Sequence, residues 1–358
     1  MRTRSGYLRP AAMLLAAACS LAAGPRAPAA DVARILIIDS QDGEPYLSAR
    51  KALLMCLESL GHIPGKTLEL RRHSIGNDRA RAQAVLADEL PKGYDVVVCN
   101  GTVAAMAAKA AAFDRPEHRF VFVCVTDPVG LGLIDGFDRP PKANFTGVCF
   151  PVPVASRLKF ILDLMPKVRT IGMVCSDMPQ SVSYCGWLEE ALRTEPQFSG
   201  LKLLIRTVPL IPGEDGTRRM AEAAEAHIRE LDPLVDVHMS PNDQLGMDRA
   251  FAEMVWRVAT RPLIGIGRRD VVEGWGATMS IYPSDASAGR QCARMIHQLL
   301  DGVPIRDIPP QWPKENGFAF DLRKTARFGI AVPIPLLELA GENVVGVTEP
   351  RPQTREAR

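Results

Sequence analysis

Short apolar segments rich in Val and Ile alternate with helix-like segments along almost the whole chain. In the first half, residues 34–39, 67–72, 94–99 and 119–125 are predicted strands. Continuous apolar strands separated by amphipathic helices are typical of parallel sheets that are covered on both faces. The pattern restarts after Pro151, with predicted strands at 169–175, 201–208, 235–239, 262–266 and 276–281. The sequence therefore predicts an α/β protein whose sheets are mainly parallel.

Two such halves in 358 residues predict two Rossmann-like lobes with a cleft between them. A helix predicted over 284–300, followed by the apolar segment 318–321, suggests that the chain crosses between the lobes three times. Three crossings would form a hinge that suits closure around a ligand. We expect lobe 1 to comprise residues 31–148 and about 282–309, and lobe 2 to comprise 149–281 and about 310–345. Residues 346–358 are expected to form a polar tail.

The N-terminus has the features of a secretory signal peptide over residues 1–30. Three arginines precede the apolar run 11–23, and no acidic residue occurs before Asp31. Such a run is too short to span a bilayer. Two processing sites remain open: a lipobox-like segment that ends at Cys19, which would be lipidated, and the sequence Ala27-Pro28-Ala29. Both alternatives predict an exported protein, either periplasmic or anchored to the membrane by a lipid.

Charge and cysteine content exclude some classes of protein. Removal of the four arginines before Asp31 changes the formal charge from +2 to −2, which leaves no electrostatic footprint for nucleic acid. Cys99, Cys124 and Cys175 lie in apolar strand-like segments and are interpreted as buried thiols.

The predicted strand 122–125 ends on Thr126-Asp127-Pro128, and Gly130 follows shortly after. Ligands of open parallel sheets bind at the carboxyl ends of the strands. Asp127 is therefore a candidate ligand-binding residue. The alternative is that its carboxylate only fixes the turn.

Two further strand ends in the first half carry candidate residues. Ser40 follows the first strand, and Gly101-Thr102 leads from the third strand directly into a helix. A helix N-terminus offers free N–H groups to an anion, and glycine permits close approach. We expect a ligand carboxylate to dock there with help from the Thr102 hydroxyl, unless Thr102 is only the N-cap.

In the second half, the strand ends carry Asp177, Asp243 and Asp270, and any of these carboxylates could bind a ligand ammonium group. Asp243 is also well placed to cap a helix predicted over 245–259. Trp275 and Tyr282 could form an aromatic wall.

Motifs of common enzymes are absent from the sequence. It contains no GxSxG, HExxH, P-loop or GxGxxG segment after a strand, and no Cys/His spacing for a metal. We therefore expect a binding protein rather than an enzyme, with no cofactor and no metal.

Several segments together resemble the ABC transporter substrate-binding proteins of the tryptophan/tyrosine type, which have the type I periplasmic-binding-protein fold. The segments that carry the resemblance are 95–102, 125–130 with 144–148, 165–172, 240–243, 302–304 and 328–333. Tyr282-Pro283 departs from the Asp-Tyr that is frequent in the family, and this change could alter the pocket.

The resemblance implies an exported, monomeric receptor that delivers a small solute to a membrane permease. Family members with known ligands bind aromatic amino acids, and the likeness favours Thr102, Asp127 and Asp243 as ligand contacts. Two alternatives are a sensing module for a membrane signalling protein and an exported hydrolase.

Overall fold

The computed structural model describes residues 32–211 and 215–346. The predicted signal peptide, including Cys19, and the tail from residue 347 lie outside the described residues.

The first sheet has five strands in the order β2-β1-β3-β4-β5, and all its neighbouring strands are parallel. Its strands are β1 (Ala33–Asp39), β2 (Leu68–Ser74), β3 (Val96–Asn100), β4 (Phe120–Val125) and β5 (Phe145–Cys149). The intervening helices are α1 (Tyr46–Ser59), α2 (Arg79–Glu89) and α3 (Thr102–Ala112).

The second sheet has seven strands in the order β12-β11-β10-β9-β8-β6-β7. Its strands are β6 (Thr170–Ser176), β7 (Lys202–Val208), β8 (Val237–Met239), β9 (Leu263–Gly265), β10 (Met279–Pro283), β11 (Asn316–Asp321) and β12 (Val344–Val345). The remaining helices are α4 (Val154–Leu164), α5 (Pro179–Thr194), α6 (Gly216–Leu231), α7 (Arg249–Val258), α8 (Arg269–Val272), α9 (Asp285–Leu300), α10 (Leu322–Arg327) and α11 (Ile334–Ala340). Only the β10–β11 pair is antiparallel among the paired strands of the described residues.

Alternation of side chains along the strands explains why helices cover both faces of the first sheet. Leu36 and Ile38 of β1 pack into the cluster formed with α2 and α3, whereas Ile35 and Ile37 pack into the cluster formed with α1 and α9. All four are fully buried. An apolar run without polar alternation therefore gives a strand that is buried on both faces, and the predicted two-sheet α/β class is confirmed.

The chain passes between the two sheets three times. It leaves the first sheet after β5, and it returns after β10 to place α9 against α1, β4 and β5. Gln311 then forms a β-bridge with Val148 of β5 before β11 joins the second sheet. We call the first sheet with its covering helices, including α9, the first lobe, and the second sheet with its helices the second lobe.

One helix start was predicted wrongly. Helix α7 begins at Arg249 rather than near Leu245, and Asp248 caps it by accepting a hydrogen bond from the Ala250 N–H at 2.7 Å. Asp243 is therefore free of the capping role expected from the sequence.

Candidate functional site

A cavity of about 320 Å³ lies between the two lobes at the carboxyl ends of their strands. We call it the first cavity. Its lining from the first lobe is Tyr46, Asn77, Thr102, Val103, Thr126, Asp127, Gly130, Leu131 and Phe150. Its lining from the second lobe is Gln180, Asn242, Asp243, Gln244 and Met247. Three of the candidate residues, Thr102, Asp127 and Asp243, are thus brought together.

Asp127 makes the turn that the sequence offered as an alternative and also lines the cavity. Its Oδ1 accepts a hydrogen bond from the Gly130 N–H at 2.7 Å. A Cβ on Gly130 would overlap Oδ2, so only glycine leaves this carboxylate where it is. The side chain is nearly buried, at 5% exposure. A single backbone donor leaves acceptor capacity on the carboxylate.

The N-terminus of α3 presents unpaired N–H groups to the same cavity. Thr102 and Val103 occupy its first turn, where N–H groups have no intrahelical acceptor. The N-cap is Gly101 rather than Thr102, with φ at +110°. The Ser40 hydroxyl lies behind this turn and accepts from the Ala104 N–H at 3.2 Å. Ser40 is fully buried, so it supports the helix terminus and does not line the cavity.

A buried charge network fixes the position of Tyr46 beside this terminus. Asn100 donates from Nδ2 to Asp39 Oδ1 at 2.7 Å and to the Tyr46 carbonyl at 3.0 Å. Arg50 and Arg72 pair with the other oxygen of Asp39. The polar residues that end β1 and β3 are therefore held by each other, and they hold the start of α1.

The Asp243 carboxylate, unlike that of Asp127, is saturated with hydrogen-bond donors from the protein. Its Oδ2 accepts from the Ser176 N–H at 2.9 Å, from the Ser176 hydroxyl at 2.8 Å and from the Ser181 hydroxyl at 2.7 Å. Its Oδ1 accepts from the Gly246 N–H at 3.0 Å. These four donors tie the loop after β8 to β6 and α5.

Asn242, next to Asp243, is a cavity residue that the sequence interpretation did not select. Its side chain is 8% exposed, and its buried Nδ2 has no hydrogen-bond partner among the described residues. The rule that ligands bind at the carboxyl ends of parallel strands predicts this loop as a binding segment, but the sequence analysis selected Asp243 and not Asn242. An unpaired buried donor is costly, so Asn242 is a candidate ligand contact.

Two aromatic residues that were not selected from the sequence also line the first cavity. Phe150 directly follows β5, and the strand-end rule could have found it. Tyr46 opens α1, and burial raises the pKa of its phenol to about 12, so the hydroxyl is neutral.

Trp275 and Tyr282, the predicted aromatic wall, line a different cavity of about 600 Å³, together with Asp270. We call it the second cavity. It shares Phe150 and Met247 with the first. Four of the five candidate residues of the second lobe are thus divided between two cavities.

The second cavity is lined by more acidic than basic side chains. Its lining has five carboxylates (Glu44, Asp270, Glu273, Asp285 and Glu315) and two arginines (Arg268 and Arg269). Burial raises the pKa of Asp270 to about 6, although the N–H groups of Gly267 and Ile266 donate to it. Burial, and then the charge of Glu44, raises the pKa of Asp285 to about 7.

Asp177 lies in neither cavity. Its Oδ1 accepts from the Leu210 N–H at 2.6 Å, so it ties the end of β6 to the segment after β7. Within the described ranges, no group of three or more His, Cys, Asp or Glu side chains is arranged to hold a metal ion.

Sequence comparison relates the chain to transport proteins. It matches the family described as ABC transporter substrate binding protein over residues 34–212, half of the chain. It is also 26% identical over 264 residues to a tyrosine-binding protein of Clostridioides difficile, which spans 73% of this chain and 70% of that protein.

Solved structures share the fold. A ligand-free, open substrate binding protein with adhesive properties from Clostridium difficile has a TM-score of 0.69 at 20% identity and covers 88% of this chain and 98% of its own. An ABC domain in complex with L-Trp from Streptococcus pneumonia has a TM-score of 0.62 at 20% identity, with coverages of 87% and 99%. A conserved domain protein from Vibrio cholerae has a TM-score of 0.64 at 22% identity, with coverages of 88% and 100%.

These likenesses confirm the type I periplasmic-binding-protein fold predicted from the sequence. Together with the family match, they lead to one conclusion: this chain belongs to the family of ABC transporter substrate binding proteins.

Proposed function

We propose that this chain is the extracytoplasmic receptor of an ABC importer. It captures a small zwitterionic solute between its two lobes and delivers it to the membrane permease. The observation that carries the proposal is the first cavity, because it joins an anion-favouring helix terminus and a partly free carboxylate on one lobe to polar groups on the other.

The head group of an amino acid fits the first-lobe side of this cavity. The N–H groups at the start of α3, with the Thr102 hydroxyl, bind the solute carboxylate. Asp127 binds the ammonium group, since its carboxylate has capacity beyond the bond from Gly130. Gly101 allows Ser40 and Tyr46 to pack against the start of α3, because a Cβ there would overlap both side chains, and Asp243 keeps the second-lobe loop in place.

Aromatic amino acids are the first solutes to test. The relatives include a protein named as tyrosine-binding and a domain in complex with L-Trp. Tyr46 and Phe150 supply aromatic surface next to the proposed head-group site, in place of the Trp275 and Tyr282 wall expected from the sequence.

Closure by hinge motion would couple binding to recognition by the permease. We propose lobe boundaries at 31–148 with about 282–309, and at 149–281 with about 310–345, so that the three crossings form the hinge. Members of this family act outside the cytoplasm, which agrees with a signal peptide at residues 1–30. Among the helices of residues 32–211 and 215–346, none has the length and hydropathy to cross a bilayer.

We infer that the chain binds its solute without turnover and acts as a monomer. A panel of the twenty amino acids in differential scanning fluorimetry tests the function, because a ligand bound only by the folded state raises the melting temperature. We expect L-tyrosine or L-tryptophan to raise it by several degrees, and the solute to be recovered unchanged. Turnover of the solute, or no shift with any amino acid, would contradict the proposal.

A further inference from the structure

Arg157 of α4 is the most completely buried cation among the described residues. Its side chain is 1% exposed. Nη2 donates to the Ser240 carbonyl at 2.6 Å, but Nε and Nη1 have no hydrogen-bond partner among the described residues. No described carboxylate lies within ion-pair distance of this guanidinium, although many other arginines in the structure are paired.

A buried arginine without a counter-ion is costly, since removal of a charge from water costs several kcal/mol unless it is paired. The face of the Tyr184 ring lies 5.9 Å from the guanidinium and offsets only part of this cost. Burial raises the pKa of Asp270 and the charge of Arg157 partly lowers it, but the Asp270 carboxylate accepts hydrogen bonds from backbone N–H groups and not from the guanidinium. The guanidinium therefore lacks an ion-pair partner, and its Nε and Nη1 are without hydrogen-bond acceptors among the described residues.

The surroundings of Arg157 point toward the first cavity. A small gap of about 10 Å³ beside the guanidinium is also lined by Asn242 and Phe150, and both of these residues line the first cavity. Asn242, whose buried Nδ2 is unpaired, thus lines both the gap and the first cavity. Unpaired donors on two elements of the second lobe, one of them charged, thus converge behind one wall of the cavity.

We propose that Asn242 and Arg157 form the second-lobe half of the carboxylate site. The Asn242 amide donates to the solute carboxylate, and the buried guanidinium supplies the positive charge that stabilises it. This inference rests on the proposed function and deepens it. The N-terminus of α3 binds the same carboxylate from the first lobe, so an anionic solute draws the two lobes together.

The test compares solutes that differ only in the carboxylate: L-tyrosine with tyramine, and L-tryptophan with tryptamine. Calorimetry of the wild-type protein should show that loss of the carboxylate weakens binding about tenfold or more. In Arg157→Gln this difference should shrink to about twofold, and Arg157→Lys, which keeps the charge, should restore part of it. Lys159→Gln removes an exposed cation two residues away on α4 and should leave the difference unchanged.

A purely structural arginine gives the opposite pattern. Arg157→Gln would then lower the melting temperature but keep the wild-type preference for the carboxylate, and this result would overturn the proposal. Because Arg157→Gln also loses the hydrogen bond to the Ser240 carbonyl, the deciding measurement is the preference for the carboxylate, whatever the melting temperature of the variant.

Bromide separates this inference from the proposed function. Crystals soaked in sodium bromide should show anomalous density within hydrogen-bond distance of Asn242 or Arg157, and Arg157→Gln crystals should lack it. If no amino acid binds the wild-type protein, the proposed function fails and the bromide result alone decides the anion site. Absence of bromide from wild-type crystals would then reject the site. Equal bromide density in wild-type and Arg157→Gln crystals would also reject it, because the bromide would be an adventitious ion only.

Discussion

Asp127 follows a strand of the first lobe and Asp243 a strand of the second, and both line the same cavity, but their hydrogen bonding differs. Asp127 accepts one donor, from its own turn. Asp243 accepts four donors, from β6, α5 and its own loop. Both are nearly buried. An identical residue type after a strand can thus keep free acceptor capacity on one lobe and be saturated by scaffold donors on the other.

Asp285 extends this comparison into the second cavity. It lies at the start of α9, no donor to its carboxylate is found among the described residues, and its pKa is raised to about 7. The three carboxylates form a series with four, one and no donors. We expect Asp243 to contribute mainly to stability, Asp127 to solute binding and Asp285 to the pH dependence of stability.

The largest expected effect is the loss of stability in Asp243→Ala. Four buried donors would lose their acceptor, and the unsatisfied groups together should lower the free energy of unfolding by about 3–5 kcal/mol. Urea denaturation measures the loss. Asp177→Ala, which removes an exposed carboxylate with one backbone bond, should cost no more than about 1 kcal/mol. A stable Asp243→Ala variant that no longer binds solute would show that Asp243, like Asp127, acts in solute binding and not in stability.

Asp127→Asn should weaken solute binding while sparing the fold. The amide oxygen can still accept from Gly130, but the charge opposite the ammonium is lost, which corresponds to about 1–3 kcal/mol of binding free energy. Calorimetry with the amino acid that gives the largest thermal shift measures this. Unchanged affinity combined with a lower melting temperature would show that the turn is the whole role of Asp127.

Asp285→Asn should change the pH dependence of stability. Because the carboxyl pKa is higher in the folded state (about 7) than its ordinary value of 3.8, the folded state holds a proton that the unfolded chain releases. The free energy of unfolding therefore falls as the pH rises from about 4 to about 7.

The asparagine variant should lack this decrease and be more stable than the wild type at pH 8 by about 1–3 kcal/mol, with little difference at pH 3.5. Asp270, whose pKa is raised to about 6, should keep part of the slope in the variant. Glu44→Gln should give a smaller gain, since burial is the larger cause. Parallel stability curves for Asp285→Asn and the wild type would contradict the assignment.

The smallest expected effect comes from Gly130→Ala. An added Cβ would overlap the Asp127 carboxylate, so that the carboxylate must shift and solute binding should weaken several-fold, by about 1 kcal/mol. Gly43→Ala is a matched control, because nothing lies within 4 Å of its added Cβ. Equal affinities of the two variants would show that the position of Asp127 does not matter for binding.

Much of the fold could be predicted because its signals are local. The β1 segment is apolar without alternation, as expected of a strand that is buried on both faces. The cap of α2 is a local signal of the same kind, since Asp78 accepts hydrogen bonds from the Ala80 and Arg81 N–H groups just after it. The start of α7 was missed because Asp243 and Asp248 are both good caps by composition. Only the contacts of Asp243 with β6 and α5 select the second.

The candidate site was predicted in part for the same reason. The rule that strand ends carry ligand residues located Thr102, Asp127 and the loop of Asp243, but it could not say which strand ends share a cavity. Asp270, Trp275 and Tyr282 also lie near strand ends, but they line the second cavity and not the first. Arg157 is the fourth residue of α4, and its sequence position gives no sign of its burial.

The sequence by itself determined the α/β class, the restart of the pattern that makes two lobes, and the polar residues at the strand ends, since each depends on periodicity over a few neighbouring residues. Only the tertiary structure decided which carboxylate is saturated, which amide is left without a partner, and which cation is buried without a counter-ion. Hydrogen bonding and desolvation depend on groups that are distant in the chain, and those groups come together only when the sheets and their helices pack.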